Sequence, residues 1–207
     1  MADIWKVFAA LVAGYLLGSL NTAVIVGMVY GKDIRNHGSK SAGLTNTLRV
    51  LGKTAALFVL AGDVAKGIVA CLVGLWLGVY VQSGQAVDCV TLLAAGAGAV
   101  LGHNWPVYFG FRGGKGALTA AAVMFMFNWQ MALISLGVFV AVIAVSRYVS
   151  LGTISAAVFF VAISFVPYFG NTVYFNVFAC LMALVILFKH RANIQRLLSG
   201  TENKLKF

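Results

Sequence analysis

Seven apolar stretches occupy most of this chain and largely decide what it can fold into. A helix that crosses a bilayer needs about 20 mostly apolar residues, because the hydrocarbon core is roughly 30 Å thick. The composition agrees, since 61% of the 207 residues are hydrophobic and 10% are charged, against roughly 45–50% and about 25% in soluble domains. A disordered chain and a small soluble domain are both excluded. We predict an all-α, polytopic integral membrane protein with one domain over residues 1–207.

The seven stretches define seven predicted transmembrane helices. The fourth is short, and only Asn128, Trp129 and Gln130 separate it from the fifth. No small-residue cleavage site closes the first stretch, so we interpret it as a retained span rather than a signal peptide. The predicted spans lie approximately over Trp5–Tyr30, Thr54–Val81, Val87–Tyr108, Ala117–Phe127, Met131–Val145, Leu151–Val166 and Val173–Phe188.

The basic residues predict the orientation of these spans. All but two of the fifteen lysines and arginines lie in alternate loops or in the tail, and the loops near residues 82–86, 128–130 and 167–172 contain none. Because basic loops stay on the cytoplasmic side, the N-terminus is predicted outside and the C-terminus inside. The net charge of +10 is then explained by topology and by anionic lipid head groups, and no nucleic acid partner is expected.

The first basic loop, residues 31–49, contains more hydroxyls, amides and glycines than a simple connector needs. Neutral donors such as Ser39 beside the planar guanidinium of Arg49 suit a phosphate group. A capped, lipid-facing loop would explain the same composition, with Thr45 or Asn46 as the cap of the next helix. Composition alone leaves both interpretations open.

A glycine-rich segment, Gly113-Gly114-Lys115-Gly116, stands directly before the fourth apolar stretch. Successive backbone N–H groups and a helix N-terminus form an anion nest, to which Lys115 adds a full positive charge. The spacing differs from that of a Walker A loop, so ATP hydrolysis is not predicted. The alternative is a flexible turn whose lysine binds lipid head groups.

Two further pairs of polar residues are spaced three apart. After the last apolar stretch, His190 and Asn193 share one face if the helix continues, and a histidine beside an amide can orient a substrate or move a proton. An interfacial role is the alternative for His190. Within the second stretch, Asp63 and Lys66 are costly to bury, and we favour a mutually neutralising pair over a substrate role.

The three polar segments share the predicted cytoplasmic face, which favours an enzyme over a transporter. A transporter should carry polar groups near the midplane and often has repeated halves, and no internal repeat is visible. An enzyme that acts on a cytosolic anion and a lipid-soluble partner needs only an inner-face pocket. A transporter of anions or phosphate esters remains the alternative.

Four motifs contain most of these polar residues: Asp33-Ile34-Arg35-x-x-Gly38-Ser39 with Gly43, Thr45-Asn46 and Arg49; Gly102-His103-x-x-Pro106-Val107-Tyr108 with Gly113–Gly116 and Thr119; His190-Arg191-x-Asn193-Ile194-x-Arg196-Leu197-x-x-Gly200-x-Glu202; and Asp63-x-x-Lys66-Gly67. With these motifs the chain, from Gly18 to Glu202, resembles the bacterial acyl-phosphate–glycerol-3-phosphate acyltransferases, the PlsY type. It departs from the usual family pattern at Lys40, Ser41 and Leu44, and at Asn21, where proline is common.

The resemblance implies transfer of a fatty acyl group from acyl phosphate to the first hydroxyl of glycerol 3-phosphate, which yields lysophosphatidic acid and phosphate. The partners would be these two substrates and the lipids of the bacterial inner membrane, with the site on the cytoplasmic face and the protein a monomer. Neither metal nor coenzyme is implied. The implied catalytic residues are Ser39, Arg49, Lys115, His190 and Asn193, and the implied substrate-binding residues are Thr45, Asn46, Gly113, Gly114, Gly116 and Thr153.

Acyl phosphate is an activated donor, so we expect direct transfer without an acyl-enzyme. No serine or cysteine has an evident triad partner. The base for the attacking hydroxyl is His190, His103 or the substrate's own phosphate, whose second pKa is about 6. An acyl-CoA donor is the rival hypothesis, and the absence of a His-x-x-x-x-Asp signature counts against it.

Overall fold

The computed structural model describes residues 3–80, 89–169 and 171–205. Within these ranges the chain is helical, with one isolated β-bridge between Tyr80 and Cys89, which confirms the all-α prediction for the described residues. The predicted outer loop near residues 82–86 lies outside them, as do the predicted span ends Val81 and Val87. The α-helices are α1 Ile4–Ser19, α2 Thr22–Val29, α3 Leu44–Leu51, α4 Lys53–Leu77, α5 Val90–Asn104, α6 Ala117–Phe127, α7 Trp129–Ser146, α8 Val149–Ser164, α9 Val173–Lys189 and α10 Arg191–Leu198.

Several helices have the length and apolarity of membrane spans. The segments Ile4–Val29, Lys53–Leu77 and Trp129–Ser146 each meet that test, and α9 with α10 meet it together across a bend of 61°. The helices α6 and α8 are apolar but shorter. Each predicted apolar stretch contains a helix where it is described, whereas the count of seven spans and their orientation stay predictions.

The first span is interrupted between α1 and α2, a break that the apolar pattern did not predict. Asn21 caps α2, because its Oδ1 accepts a hydrogen bond from Val24 N at 3.2 Å. The carbonyl of Leu20 accepts from the ammonium of Lys66 at 3.2 Å. Backbone groups freed inside an apolar span need such internal partners. The buried side chains of Asn21 and Lys66 provide these hydrogen bonds at the break.

The chain forms two compact units, Met1–Phe127 and Asn128–Phe207, and the single-domain expectation stays a prediction. In the first unit, α1 and α5 pack backbone against backbone through the glycines of two small-x-x-x-small patterns, Gly14 with Gly18 and Gly98 with Gly102. A Cβ at Gly14 or Gly18 would collide with the backbone of α5, and one at Gly98 or Gly102 with the backbone of α1. This contact fixes the end of α5, from which the glycine-rich segment continues.

The second unit contains α7 to α10. Its core includes the buried rings of Phe160 on α8 and Phe175 on α9, whose centroids are 6.0 Å apart. The turn between α7 and α8 passes through Arg147 in the left-handed region at φ 63°. The helix α10 follows α9 after the 61° bend, and His190 occupies the corner.

Candidate functional site

The residues that the sequence singled out fall into two groups, one in each compact unit. The first unit holds Ser39, Thr45, Asn46, Arg49 and Gly113–Gly116. The second holds Thr153, His190 and Asn193.

Asn46 organises the first loop. Its side chain is buried and its Oδ1 accepts a hydrogen bond from Ser39 N at 2.8 Å. Its Nδ2 faces three loop carbonyls, those of Ile34 at 3.1 Å, His37 at 3.0 Å and Ser41 at 3.0 Å. The amide of Asn46 therefore holds the backbone of the loop, and this sets the position of Ser39.

Three polar residues around this loop remain accessible. Ser39 and Arg49 are exposed, and Thr45 is half-buried. Thr45 and Arg49 are four residues apart on α3, so they lie on the same face of that helix. The hydroxyl of Ser39 and the guanidinium of Arg49 are thus accessible, and Asn46 fixes the loop that carries Ser39.

Arg35 connects the first loop to the turn at Phe109. The sequence indicated Arg35 only as part of a motif. Its Nε donates to Asp33 Oδ1 and its Nη2 donates to Asp33 Oδ2, each at 2.9 Å. Its Nη1 donates to Phe109 O at 2.9 Å, in the turn before the glycine-rich segment. The hydrogen bonds from Arg35 hold the pKa of the Asp33 carboxyl below its usual value. The Asp-x-Arg spacing of Asp33 and Arg35 was the sequence feature that could have indicated this ion pair.

The glycine-rich segment lies against the end of α5 so closely that side chains are excluded. Gly114 N donates to His103 O at 3.1 Å. A Cβ at Gly113 would collide with His103 O, and one at Gly114 with both Ala42 O and His103 Nε2. Gly116 adopts φ +74°, a conformation that favours glycine. The glycines therefore let the segment contact α5 and, at Ala42, the first loop.

Lys115 lies in this segment, half-buried and two residues before the first residue of α6. Backbone N–H groups before a helix N-terminus, together with a lysine, form an arrangement that binds phosphate. The segment that carries Lys115 is connected to the first loop by the hydrogen bond from Arg35 to Phe109 O, and it lies close to Ala42 O of that loop at Gly114. The first unit thus contains Ser39, Arg49 and Lys115, and their assignment to phosphate stays a prediction.

A buried charged cluster lies at the end of α5. Lys66 Nζ is 2.8 Å from Asp63 Oδ1 and 2.9 Å from His103 Nδ1. Asp63, Lys66 and His103 are all at least nine-tenths buried. The neutralising pair of Asp63 and Lys66 that the sequence predicted is formed. His103 also contacts Lys66, and the i, i+3 spacing of the pair did not indicate that contact.

In the second unit, His190 stands at the corner between α9 and α10. The predicted seventh span, Val173–Phe188, agrees with α9, and the condition that this helix continues to Asn193 is not met, because α9 ends at Lys189 and α10 begins at Arg191. His190 Nδ1 lies 2.8 Å from Ile186 O. Since a carbonyl only accepts, Nδ1 must carry a proton, and in the neutral ring Nε2 is then left with a lone pair. The backbone of α9 therefore sets the tautomer of His190.

Glu202 fixes the surroundings of Asn193, a role that sequence reasoning missed although Glu202 ends the third motif. Its carboxylate accepts from Asn193 Nδ2 at 2.7 Å, from Arg196 Nε at 2.7 Å and from Ser150 Oγ at 2.9 Å. Burial favours the neutral acid, but these hydrogen bonds outweigh it and hold the pKa of Glu202 below its usual value. The carboxylate thus joins α8, α10 and the tail.

Thr153 lies on α8, one turn after Ser150. Its hydroxyl donates to Val149 O at 3.0 Å within the same helix, and the residue is half-buried. Its hydroxyl oxygen keeps acceptor capacity, so any hydrogen bond in which it donates to a substrate would require the helix bond to break.

The comparisons with known proteins agree along almost the whole chain. A family model described as Glycerol-3-phosphate acyltransferase matches residues 8–200. A glycerol-3-phosphate acyltransferase of Thermoanaerobacter pseudethanolicus is 43% identical over 202 residues, 97% of this chain and 96% of the relative. One of Geobacillus kaustophilus is 42% identical over 198 residues, 95% of each protein.

Two solved structures are similar to this one throughout. Both are of PlsY (YgiH), described as an integral membrane glycerol 3-phosphate acyltransferase. The glycerol 3-phosphate form has a TM-score of 0.86 and 35% identity, and it covers 100% of this chain and 96% of the solved one. The lysophosphatidic acid form has a TM-score of 0.84 and 33% identity, with the same coverage.

Proposed function

This chain belongs to the glycerol-3-phosphate acyltransferase family, and we propose that it transfers a fatty acyl group from acyl phosphate to the 1-hydroxyl of glycerol 3-phosphate. Membership confirms the resemblance seen in the motifs and makes the chain an acyltransferase of an integral membrane family. One observation of the geometry carries the proposed chemistry. The loops bearing Ser39, Arg49 and Lys115 are joined to each other, at Phe109 O by Arg35 and at Gly114.

The acceptor and product follow from the substrate's charge and from the neighbouring structures. Glycerol 3-phosphate is a small dianion, and Arg49 and Lys115 supply two cations on the two joined loops. The solved relatives are named for their glycerol 3-phosphate and lysophosphatidic acid forms, which supports the same acceptor and product here. We assign Ser39, Thr45 and Arg49 to substrate phosphate, with Asn46 as the residue that positions Ser39.

The donor is assigned to acyl phosphate because its leaving group is also phosphate. When the acyl carbon–oxygen bond breaks, negative charge stays on the departing phosphate. Lys115 and the backbone N–H groups of Gly113, Gly114 and Gly116 supply positive potential for that charge without reorganisation. Because acyl phosphate is already activated and the segment supplies the positive charge, the proposed reaction uses neither metal nor coenzyme.

The proton of the attacking hydroxyl is assigned to His190. As the hydroxyl oxygen bonds to the acyl carbon, Nε2 takes the proton, and the released phosphate can receive it afterwards. The Nδ1–H bond to Ile186 O fixes the tautomer in which Nε2 carries the lone pair that takes this proton. Asn193, held by Glu202, orients a substrate oxygen nearby. His103 is less suited as a base because its ring contacts Lys66 and the glycine-rich segment.

The proposed setting is the bacterial inner membrane, with seven spans, an external N-terminus, a cytoplasmic C-terminus and a monomeric protein. The alternation of basic loops supports the orientation. With this topology, Ser39, Lys115 and His190 all face the cytoplasm, where glycerol 3-phosphate is available. Impermeant labelling of single cysteines at positions 39, 115 and 190 tests it, because one label from the opposite side contradicts the shared face.

The decisive experiment is an acylation assay of the purified protein. Synthetic acyl phosphate and labelled glycerol 3-phosphate should give lysophosphatidic acid and one equivalent of phosphate, whereas acyl-CoA should give none. Product from acyl-CoA alone would overturn the donor assignment. Uptake of glycerol 3-phosphate into sealed vesicles without acylation would favour a transporter.

A further inference from the structure

The proposed chemistry makes no use of the charged cluster at the end of α5. Asp63, Lys66 and His103 are buried at 1%, 6% and 3% exposure. Ionised groups inside a membrane-spanning segment are costly, and a buried ion pair that serves packing alone is replaceable by apolar residues at little cost. The contacts of the cluster point to a more specific role.

The ammonium of Lys66 fixes the state of the His103 ring. It lies 2.8 Å from Asp63 Oδ1, donates to Leu20 O at 3.2 Å and lies 2.9 Å from His103 Nδ1. An ammonium has three donors and no acceptor, so Nδ1 of His103 must accept. The proton of the neutral ring is therefore on Nε2, at the edge that faces the glycine-rich segment.

His103 contacts that segment at two points. Its carbonyl accepts from Gly114 N at 3.1 Å. Its Nε2 reaches the place that a Gly114 side chain would occupy, where Ala42 O of the first loop also lies. The carbonyl of His103 also accepts from Asn21 Nδ2 at 3.4 Å. The ring and the carbonyl thus form the floor of the segment that contains Lys115.

The helix that follows the segment is tied to the same cluster. Thr119 on α6 donates to Asp63 O at 3.4 Å, and its hydroxyl lies 3.5 Å from His103 Nδ1. Gly114 and Thr119 are held on either side of Lys115, so a shift of the cluster would move the lysine and the backbone donors together.

We infer that Asp63, Lys66 and His103 are positioning residues for the phosphate-binding segment Gly113–Gly116, and that they set the affinity for the phosphate substrates rather than take part in the chemistry. This inference rests on the proposed function. It assigns Asp63 and Lys66 to the site through His103, and it separates them from a pair that only stabilises helix packing.

The test uses a variant that removes both charges together. Asp63→Leu with Lys66→Met replaces the pair by apolar residues and leaves no unpaired charge, so the fold should persist. We expect KM for acyl phosphate, whose phosphate the segment is proposed to bind, to rise about tenfold while kcat stays within about threefold, because a displaced segment weakens phosphate binding. Hydrogen exchange of residues 109–118 should become faster in the full-length protein.

Two further variants keep the test decisive. His103→Asn retains an acceptor for Lys66 and loses the edge at Gly114, so it should give the same rise in KM even if the double variant does not fold. Thr91→Val is the matched control, since buried Thr91 also joins α5 to α4, donating to Gly74 O at 2.6 Å. It lies twelve residues before His103, about 18 Å along the helix, and should lower Tm without changing KM.

Unchanged KM and unchanged exchange of residues 109–118 in folded double and His103→Asn variants would overturn the inference. A wild-type protein that does not acylate glycerol 3-phosphate would instead overturn the proposed function. In that case, the exchange measurement still decides whether the cluster holds the segment.

Discussion

The first unit arranges its candidate residues through close backbone contacts, and the second arranges its candidate residues through side-chain hydrogen bonds. Around Gly114 the loops approach each other closely, and the absent Cβ atoms are what permit it. Around Glu202, one carboxylate gathers three side-chain donors. Phosphate needs many donors converging on one charge, which a backbone nest provides, whereas a proton acceptor needs one atom in one tautomer. The two constructions should therefore fail in different ways.

Removal of His190 should give the largest loss. In His190→Ala, kcat should fall about 10³-fold with a modest change in KM, because general base catalysis contributes roughly 10²–10⁴-fold. Steady-state kinetics with acyl phosphate measure it. A loss below about tenfold would assign the base role to the substrate's phosphate, and His190 would then not be the proton acceptor.

Removal of a cation from the joined loops should rank second. Lys115→Ala and Arg49→Ala should each lower kcat/KM by about 10²-fold, since a single lost electrostatic contact to developing charge costs roughly 10²–10³-fold. Lys53→Ala is the matched control, because Lys53 is an exposed cation at the start of α4 and lies outside the proposed site. An equal loss in Lys53→Ala would show that total charge matters rather than the loops.

Loss of the first loop's organiser should rank third. Asn46→Ala removes the acceptor of Ser39 N and the donor to three carbonyls, so activity should fall about tenfold and stability by about 2 kcal/mol. Thermal unfolding and KM measure the two effects. If Asn46→Ala lowers kcat like Lys115→Ala without lowering Tm, then Asn46 contacts substrate directly.

The smallest expected effect is the pH dependence at Glu202. Its pKa is lowered from the ordinary value of 4.5, so the folded state gains stability above that value and loses it as pH falls through the lower, folded-state pKa. Glu202→Gln should remove this part of the acid dependence of Tm and lower activity only a few-fold. The control Asp33→Asn should remove the separate contribution of the first loop, whose carboxyl pKa is also lowered. An acid profile unchanged in Glu202→Gln contradicts the carboxylate's role.

Local patterns predicted the features that depend on nearby residues. The apolar stretch Ala117–Phe127 coincides with α6, and the i, i+3 spacing of Asp63 and Lys66 predicted their pairing. The glycines before α6 predicted an anion nest, which stays a prediction, and did not indicate their close contact with the end of α5.

Contacts between distant parts of the chain could not be predicted in this way. Periodicity relates residues three or four apart, whereas Arg35 and Phe109 are 74 residues apart, and Lys66 and His103 are 37 apart. The break at Leu20 was hidden because an apolar run of the right length carries no mark of a carbonyl that bonds to a distant lysine. The role of Glu202 was hidden for the same reason.

The glycine contact between α1 and α5 fixes the position of one helix along the other. With backbone touching backbone at Gly14, Gly18, Gly98 and Gly102, neither helix can slide along the other without a steric clash. Since α5 ends beside the segment that carries Lys115, the place of that positive charge along α1 depends on this contact. One extra methyl group at any of the four glycines would push α5 away from α1 and displace the charge with it.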